Sequence, residues 1–219
     1  MIAYELISKT IAPLHLNDTG EQALTMMNIY HVKHLPIVDK DKFIGMISQD
    51  DILSNDLESE IGSYTLPTLI PYVHDKDHLF EVLSKLAEQK LTVIPVADEE
   101  MYYLGLINQE DLISYYANSF SFKEPGNIVV LEIKRINYSL AEISKIVEGE
   151  SGSILSTFIT NPEDSQYIYV TVKIVAENIM GIIASFERYG YIIKGSFIEN
   201  DYIDTLKERY DSLMSFLNV

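Results

Sequence analysis

The sequence predicts an α/β (α+β) chain in two parts, and three observations carry that prediction. The first half contains an internal repeat with a period of 59 to 60 residues. After Lys123-Glu124-Pro125-Gly126 the repeat stops and a different order of strands and helices begins. A length of 219 residues, 47% hydrophobic and 22% charged, fits an ordinary globular protein of one or two domains that buries its core without staples.

The repeat is read most directly at His34-Leu35-Pro36-Ile37-Val38-Asp39, which aligns with Val93-Ile94-Pro95-Val96-Ala97-Asp98 at an offset of 59. Downstream, Gly45-Met46-Ile47-Ser48-Gln49-Asp50-Asp51-Ile52 aligns with Gly105-Leu106-Ile107-Asn108-Gln109-Glu110-Asp111-Leu112 at an offset of 60, so the intervening turn, Lys40-Asp41-Lys42 in the first copy, has gained one residue. Upstream, Asp18-Thr19, Ala23 and Met27 pair with Asp77-His78, Val82 and Leu86.

Each copy reads as β-α-β-β-α. A polar turn opens the first helix, and Thr19 with Gln22 has capping-box spacing. Ala23, Met26, Met27 and Tyr30 form one apolar face in copy one, as Leu79, Val82, Leu83 and Leu86 do in copy two. A strand with a proline near its start follows, then a polar turn, a second strand ending at Ser48 or Asn108, and a helix beginning near Asp51 or Asp111. Repeat one is expected over about 8–60, repeat two over about 66–121 and a linker over 122–126.

The remainder, 127–219, reads as β-α-β-β-α-β. Ile128–Ile133 is a short apolar strand, and Ser139 with Glu142 makes a capping box for a helix ending near Gly149. Ile154–Thr160 and Tyr167–Ile174 are strands joined by Asn161-Pro162-Glu163-Asp164-Ser165, a hairpin signal. A helix from Asn178 to Tyr189, stopped at Gly190, leads to a last strand, Tyr191–Phe197. Beyond it Ile203, Leu206, Tyr210, Leu213 and Leu217 form an apolar stripe, expected either to pack a terminal helix on its own domain or to form a dimer seam.

The first half resembles a tandem pair of CBS domains, the Bateman module. The carriers are the apolar-Pro-apolar strands Leu35-Pro36-Ile37 and Ile94-Pro95-Val96, and the Gly-apolar-apolar-Ser/Asn-x-x-Asp-apolar segments that end each copy. The second part is a ferredoxin-like plan that resembles the ACT domain, so the chain is similar to CBS-CBS-ACT proteins of the acetoin-utilisation protein B type. Amino-acid-binding ACT domains carry an Asp-x-Pro-Gly-like turn after the first strand, and here that stretch is Arg135-Ile136-Asn137-Tyr138-Ser139-Leu140.

That resemblance implies a cleft between the copies that takes an adenosine-containing ligand: AMP, ADP, ATP or S-adenosylmethionine, with Mg²⁺ accompanying a nucleotide. A carboxylate accepts from both cis hydroxyls of a ribose, and a hydroxyl or helix N-terminus donates to phosphate. Carried over residue by residue, the ligand-binding positions are Ser48 and Asp51, with His34 and Leu35 beside the base, and Asn108 and Asp111, with Val93 and Ile94. The structural alternative is that Asp51 and Asp111 cap helices and Ser48 and Asn108 are turn residues. Asp50 and Glu110, adjacent acids, disfavour a naked polyphosphate.

Other chemistries find little support. A net charge of −17 repels nucleic acid and anionic membrane surfaces. The absence of cysteine removes thiol chemistry and disulfides. Met1-Ile2-Ala3-Tyr4-Glu5 has no basic leader pattern, no stretch approaches a membrane span, and a cytoplasmic location is expected. His74 and His78 have i, i+4 spacing, but they flank a turn where side chains diverge, so no metal site is expected. Gly149-Glu150-Ser151-Gly152-Ser153 has part of a nucleophile-elbow pattern in the wrong structural order, between a helix and a strand. The expectation is a non-catalytic homodimeric sensor regulating a partner protein, with a ligand-free dimeric scaffold as the alternative and an acetoin-metabolism accessory role behind both.

Overall fold

The computed structural model describes residues 1–66, 70–162 and 165–198 together with Met214, and the chain divides into two compact units, Met1–Tyr116 and Ala117–Val219. The predicted apolar stripe from Ile203 to Leu217 lies outside the described residues.

In the first unit, copy one consists of β1 (Leu14–His15), α1 (Gly20–Tyr30), β2 (His34–Asp39), β3 (Lys42–Ser48) and α2 (Gln49–Leu53). Copy two repeats the order as β4 (Val73–His74), α3 (Leu79–Glu88), β5 (Val93–Ala97), β6 (Tyr103–Asn108) and α4 (Gln109–Ser119). In each, the two-residue strand lies parallel to the central strand, which pairs antiparallel with the third. β1 first pairs at Ile37 and β4 at Val96, one residue past Pro36 and Pro95, so each proline precedes the part of the strand bonded on that side.

The expected capping box is present: Thr19 Oγ1 accepts from Gln22 N and Gln22 Oε1 accepts from Thr19 N. Ala23, Met27, Leu79, Val82 and Leu86 are buried as their spacing predicts, but Tyr30, at the end of the predicted face, is exposed, because α1 stops there with His31 in the left-handed conformation. The second helices start at Gln49 and Gln109, two residues before the predicted Asp51 and Asp111. Ser48, and not the acid, is the N-cap, which leaves Asp51 at the third helical position.

The two copies are related by a pseudo-twofold axis that the hydrogen bonds make explicit. At one end, Phe43 N donates to Met101 O and Tyr103 N donates to Asp41 O, two bonds that exchange under the repeat. At the other, Lys33 N donates to Oγ1 of Thr92, its own counterpart in copy two. The residues opening the two copies also cross over. Ala3 N donates to Asp77 O and Tyr4 N to Asp75 O, so residues 1–8 strap copy two. Ile61 N donates to Asp18 O and Gly62 N to Leu16 O, so residues 60–64 strap copy one in the same manner. Ala3 and Ile61, the equivalent anchors, are both fully buried.

The second unit is built from β7 (Asn127–Lys134), α5 (Leu140–Gly149), β8 (Ser153–Thr160), β9 (Tyr167–Val175), α6 (Ile179–Arg188) and β10 (Ile192–Phe197). Its strands form one antiparallel sheet in the order β10-β7-β9-β8, the ferredoxin-like arrangement the element order predicted. Alternate residues of β7 and β9, among them Leu131, Val170 and Val172, meet Ile143 and Val147 of α5 and Ile182 and Phe186 of α6 in one core. The predicted box at Ser139 is half formed: Ser139 Oγ accepts from Glu142 N, while the Glu142 carboxylate turns away to accept from Tyr191 Oη at 2.6 Å. No helix among the described residues is long and apolar enough to cross a membrane.

Candidate functional site

The predicted site residues gather where each third strand becomes a helix. The register places His34 opposite Ser48 and Val93 opposite Asn108, so strand start and strand end meet in each copy. Leu35, Val93 and Ile94 are fully buried, Leu35 and Val93 within one apolar cluster. His34 stays half-buried at the rim.

In copy one, Asp51 Oδ2 accepts from Ser48 N at 2.9 Å and Ser48 Oγ at 2.5 Å, while Ser48 Oγ accepts from Asp51 N at 3.1 Å. In copy two, Asp111 Oδ2 accepts from Asn108 Nδ2 at 2.7 Å and Asn108 Oδ1 accepts from Asp111 N at 2.6 Å. Asn108 thus caps Asp111 N with its amide oxygen, and its Nδ2 takes the place of the Ser48 hydroxyl on the carboxylate. Asp51 Oδ2 closes the capping box and Asp111 Oδ2 holds the Asn108 amide, and the second carboxylate oxygen of each makes no hydrogen bond among the described residues. Asp51 is half-buried and Asp111 exposed.

His34 adds a link that sequence reasoning did not supply. Its Nδ1 accepts from Thr92 N at 3.3 Å and lies 3.2 Å from Thr92 Oγ1, which itself accepts from Lys33 N. A ring nitrogen that accepts from a backbone N–H is unprotonated, which leaves the proton of the neutral imidazole on Nε2. Burial lowers the His34 pKa from its ordinary value, opposed first by Asp51 and least by Asp50, with Lys33 adding to the lowering.

Copy two opens on a cleft of about 300 Å³ lined by Glu5–Ser8 of the strap, Ile107 of β6, and Asp111 and Tyr115 of α4. The strap residues and Tyr115 were not among the predicted site residues. The sequence offers no signal for the strap: Ile2-Ala3-Tyr4 and the equivalent Glu60-Ile61-Gly62 share no residue, and neither stretch has a helical or a strand period.

His78 Nδ1 accepts from Phe80 N and caps α3, and the His74 ring packs edge-on against Tyr72 at 5.2 Å. Among the described residues no group of three or more His, Asp or Glu side chains is placed to hold a metal ion. Gly149–Ser153 connects a helix to a strand, and Glu150 within it accepts from Ser185 Oγ at 2.6 Å.

Two βαββα copies about a twofold axis, each ending in a capped Ser/Asn-x-x-Asp turn, define a CBS-domain pair, here followed by a ferredoxin-like unit. Residues 3–58 and 68–118 match the CBS domain, so the first half of the chain belongs to that family. An inosine-5'-monophosphate dehydrogenase of Methanocaldococcus jannaschii is 24% identical over 113 residues, 51% of this chain and 23% of the relative. An uncharacterised protein of the same organism is 23% identical over 158 residues, 67% of this chain and 74% of the relative. A CBS domain pair/ACT domain protein of Thermotoga maritima, known as a crystal structure, is 23% identical with a TM-score of 0.47, covering 54% of this chain and 98% of that one. The chain thus spans under a quarter of the length of the dehydrogenase.

Proposed function

We propose that this protein is a non-catalytic, cytoplasmic, homodimeric sensor whose CBS pair binds an adenosine-containing ligand and whose ligand state regulates a partner protein. CBS-domain proteins commonly bind adenosine ligands in regulatory roles, and the family assignment is the starting point. The observation that carries the reading for this chain is the Asp111 carboxylate. One oxygen accepts from the Asn108 amide, and the exposed residue lines a cleft at the lower end of the size range for small-molecule pockets. A ribose offers that oxygen two adjacent hydroxyl donors.

The charge of the surroundings narrows the ligand. Glu5 lines the cleft with Asp111, Glu110 precedes it, and the chain as a whole carries −17. A bare polyphosphate is repelled in such a field, whereas a Mg²⁺-bound nucleotide or the sulfonium of S-adenosylmethionine is not. Regulation then requires the ligand to prefer one arrangement of the two copies, which share the Lys33–Thr92–His34 contact at their axis.

A second reading rests on the caps themselves: the Ser48–Asp51 and Asn108–Asp111 pairs serve their helices with no ligand bound, as a ligand-free dimeric scaffold requires. Thermal unfolding separates the two. With AMP, ADP, ATP or S-adenosylmethionine, each with and without Mg²⁺, a ligand at 100 times its Kd adds about 2.7 kcal/mol, roughly 5–10 °C in Tm for a chain of this size. One adenosine ligand raising Tm by that amount supports the sensor, and a flat response across all of them supports the scaffold.

A further inference from the structure

We infer that copy two carries a docking surface for a basic protein segment: an exposed apolar patch of Met1, Ile2, Tyr4 and Phe80, set inside a rim of acidic side chains. The inference deepens the partner-regulating part of the proposed function by naming the surface a partner meets, and it does not depend on which ligand the CBS pair binds.

The patch stands at the start of α3, where the first strap crosses onto copy two. Ile2 forms an antiparallel bridge with His78, Met1 O accepts from Leu79 N at 3.3 Å, and the Phe80 ring stands edge-on to His78 with centroids 4.8 Å apart. Tyr4 follows on the same strap, its N–H donating to Asp75 O at 3.0 Å. These links bring the four apolar residues onto one stretch of surface, where Tyr4 is 61% and Phe80 65% exposed and Met1 and Ile2 are exposed as well. Single apolar side chains on a surface are ordinary, but a cluster of them rimmed by polar groups marks a contact site.

The pseudo-twofold axis supplies an internal comparison. Each backbone link has its counterpart in copy one: Glu60 bridges Thr19, Ser59 O accepts from Gly20 N and Gly62 N donates to Leu16 O. The residues standing in for Met1, Ile2, Tyr4 and Phe80 are Ser59, Glu60, Gly62 and Glu21. Copy one builds the same backbone without an apolar side chain at any of these positions, so the fold does not require the patch. The charges diverge in the same place. Glu5, Asp75, Asp77 and Glu81 adjoin the patch, where copy one has Ser63, Leu16, Asp18 and Gln22. Glu5 is fixed there by accepting from Ile2 N at 3.1 Å, and Lys76 is occupied by Glu99 at 3.1 Å. An apolar centre with an acidic rim complements an apolar anchor flanked by Lys or Arg. A second copy seated on the same patch sets acidic rim against acidic rim in a chain of charge −17, so the occupant is a different protein.

Fluorescence anisotropy with a labelled amphipathic helical peptide of Leu and Lys, and with its Leu and Glu counterpart, tests this on the full chain. The proteins are wild type, Tyr4→Ser/Phe80→Glu, in which Glu is the residue copy one carries at the position of Phe80, and Glu5→Gln/Glu81→Gln, in which Gln keeps an acceptor for Ile2 N. The Leu and Lys peptide is expected to bind wild type, with affinity falling about tenfold or more in either variant. The Leu and Glu peptide is expected not to bind, and Tm and solution mass are expected to stay those of wild type. Tyr4→Ser/Phe80→Glu is more acidic than wild type, so its loss of binding cannot come from general attraction to a negative chain. Equal affinity of that variant and wild type, no binding to wild type, or equal binding of the Leu and Glu peptide overturns the inference. So does a lower solution mass in that variant, which assigns the patch to a seam between copies, or a fall of several degrees in its Tm, which assigns the patch to the fold. The rise in Tm with an adenosine ligand is expected to be the same in that variant as in wild type, and its absence from wild type removes the sensor reading and not the docking surface.

Discussion

His34 shows how a single side chain can join the two copies while standing at the edge of a cleft. Its Nδ1 accepts from Thr92 N, so protonation turns an acceptor into a donor facing a donor. Burial lowers its pKa in the folded state, whereas the unfolded chain titrates near 6.5. As pH falls, the unfolded state takes up the proton first. The stabilisation is therefore present above about 6.5 and is lost as pH falls from there towards the folded value. Urea unfolding is expected to show wild type losing stability between pH 7.5 and 5.5 by more than His34→Asn, whose Oδ1 remains an acceptor at every pH. The difference should be about 1 kcal/mol, the scale of one hydrogen bond. Identical pH dependence in the two proteins contradicts the assignment. The sequence marked His34 as the counterpart of Val93, and it marked Asp51 and Asp111 by their spacing from Ser48 and Asn108, because caps are local. It did not mark Thr92, because what brings Thr92 to His34 is the axis between the copies, which leaves no periodic trace along the chain.

At the scale of elements, the repeat and the βαββαβ order were legible because hydrophobic period and capping residues act over one or two turns. The straps were not, since residues 1–8 and 60–64 take their conformation from the opposite copy. Gly105 exposes this dependence. It has φ +146°, and a Cβ there runs into Ile7 Cγ2 of the strap, while its repeat counterpart Gly45 has ordinary backbone and meets nothing closer than Leu66 Cδ1 at 3.6 Å. Gly105→Ala is expected to cost about 1–3 kcal/mol in urea unfolding and Gly45→Ala under about 1 kcal/mol, although the two glycines are aligned in sequence. Equal effects contradict the asymmetry of the straps. Glu142 makes a related point in the second unit: its spacing from Ser139 promised a complete capping box, but Tyr191 lies near enough to take the carboxylate, and tertiary contact prevails over the local motif.

At the scale of the whole molecule, the repeat gives the first unit two copies of one turn, and they differ: Asp51 is half-buried, and Asp111 is exposed beside a cleft. A charge of −17 sets the ligand class as much as the cleft shape does, because it selects against bare phosphates. Raising ionic strength is therefore expected to tighten binding of ATP without Mg²⁺ while leaving that of S-adenosylmethionine unchanged or weaker, a contrast read from titrations at two salt concentrations. The central claim, an adenosine sensor acting as a homodimer, is tested most directly by native mass spectrometry of the full chain with AMP, Mg²⁺-ATP and S-adenosylmethionine in turn. The account predicts a dimer that gains at least one of these ligands, with binding weakened in Asp111→Asn. A dimer that stays bare with all three, or a monomer throughout, contradicts it.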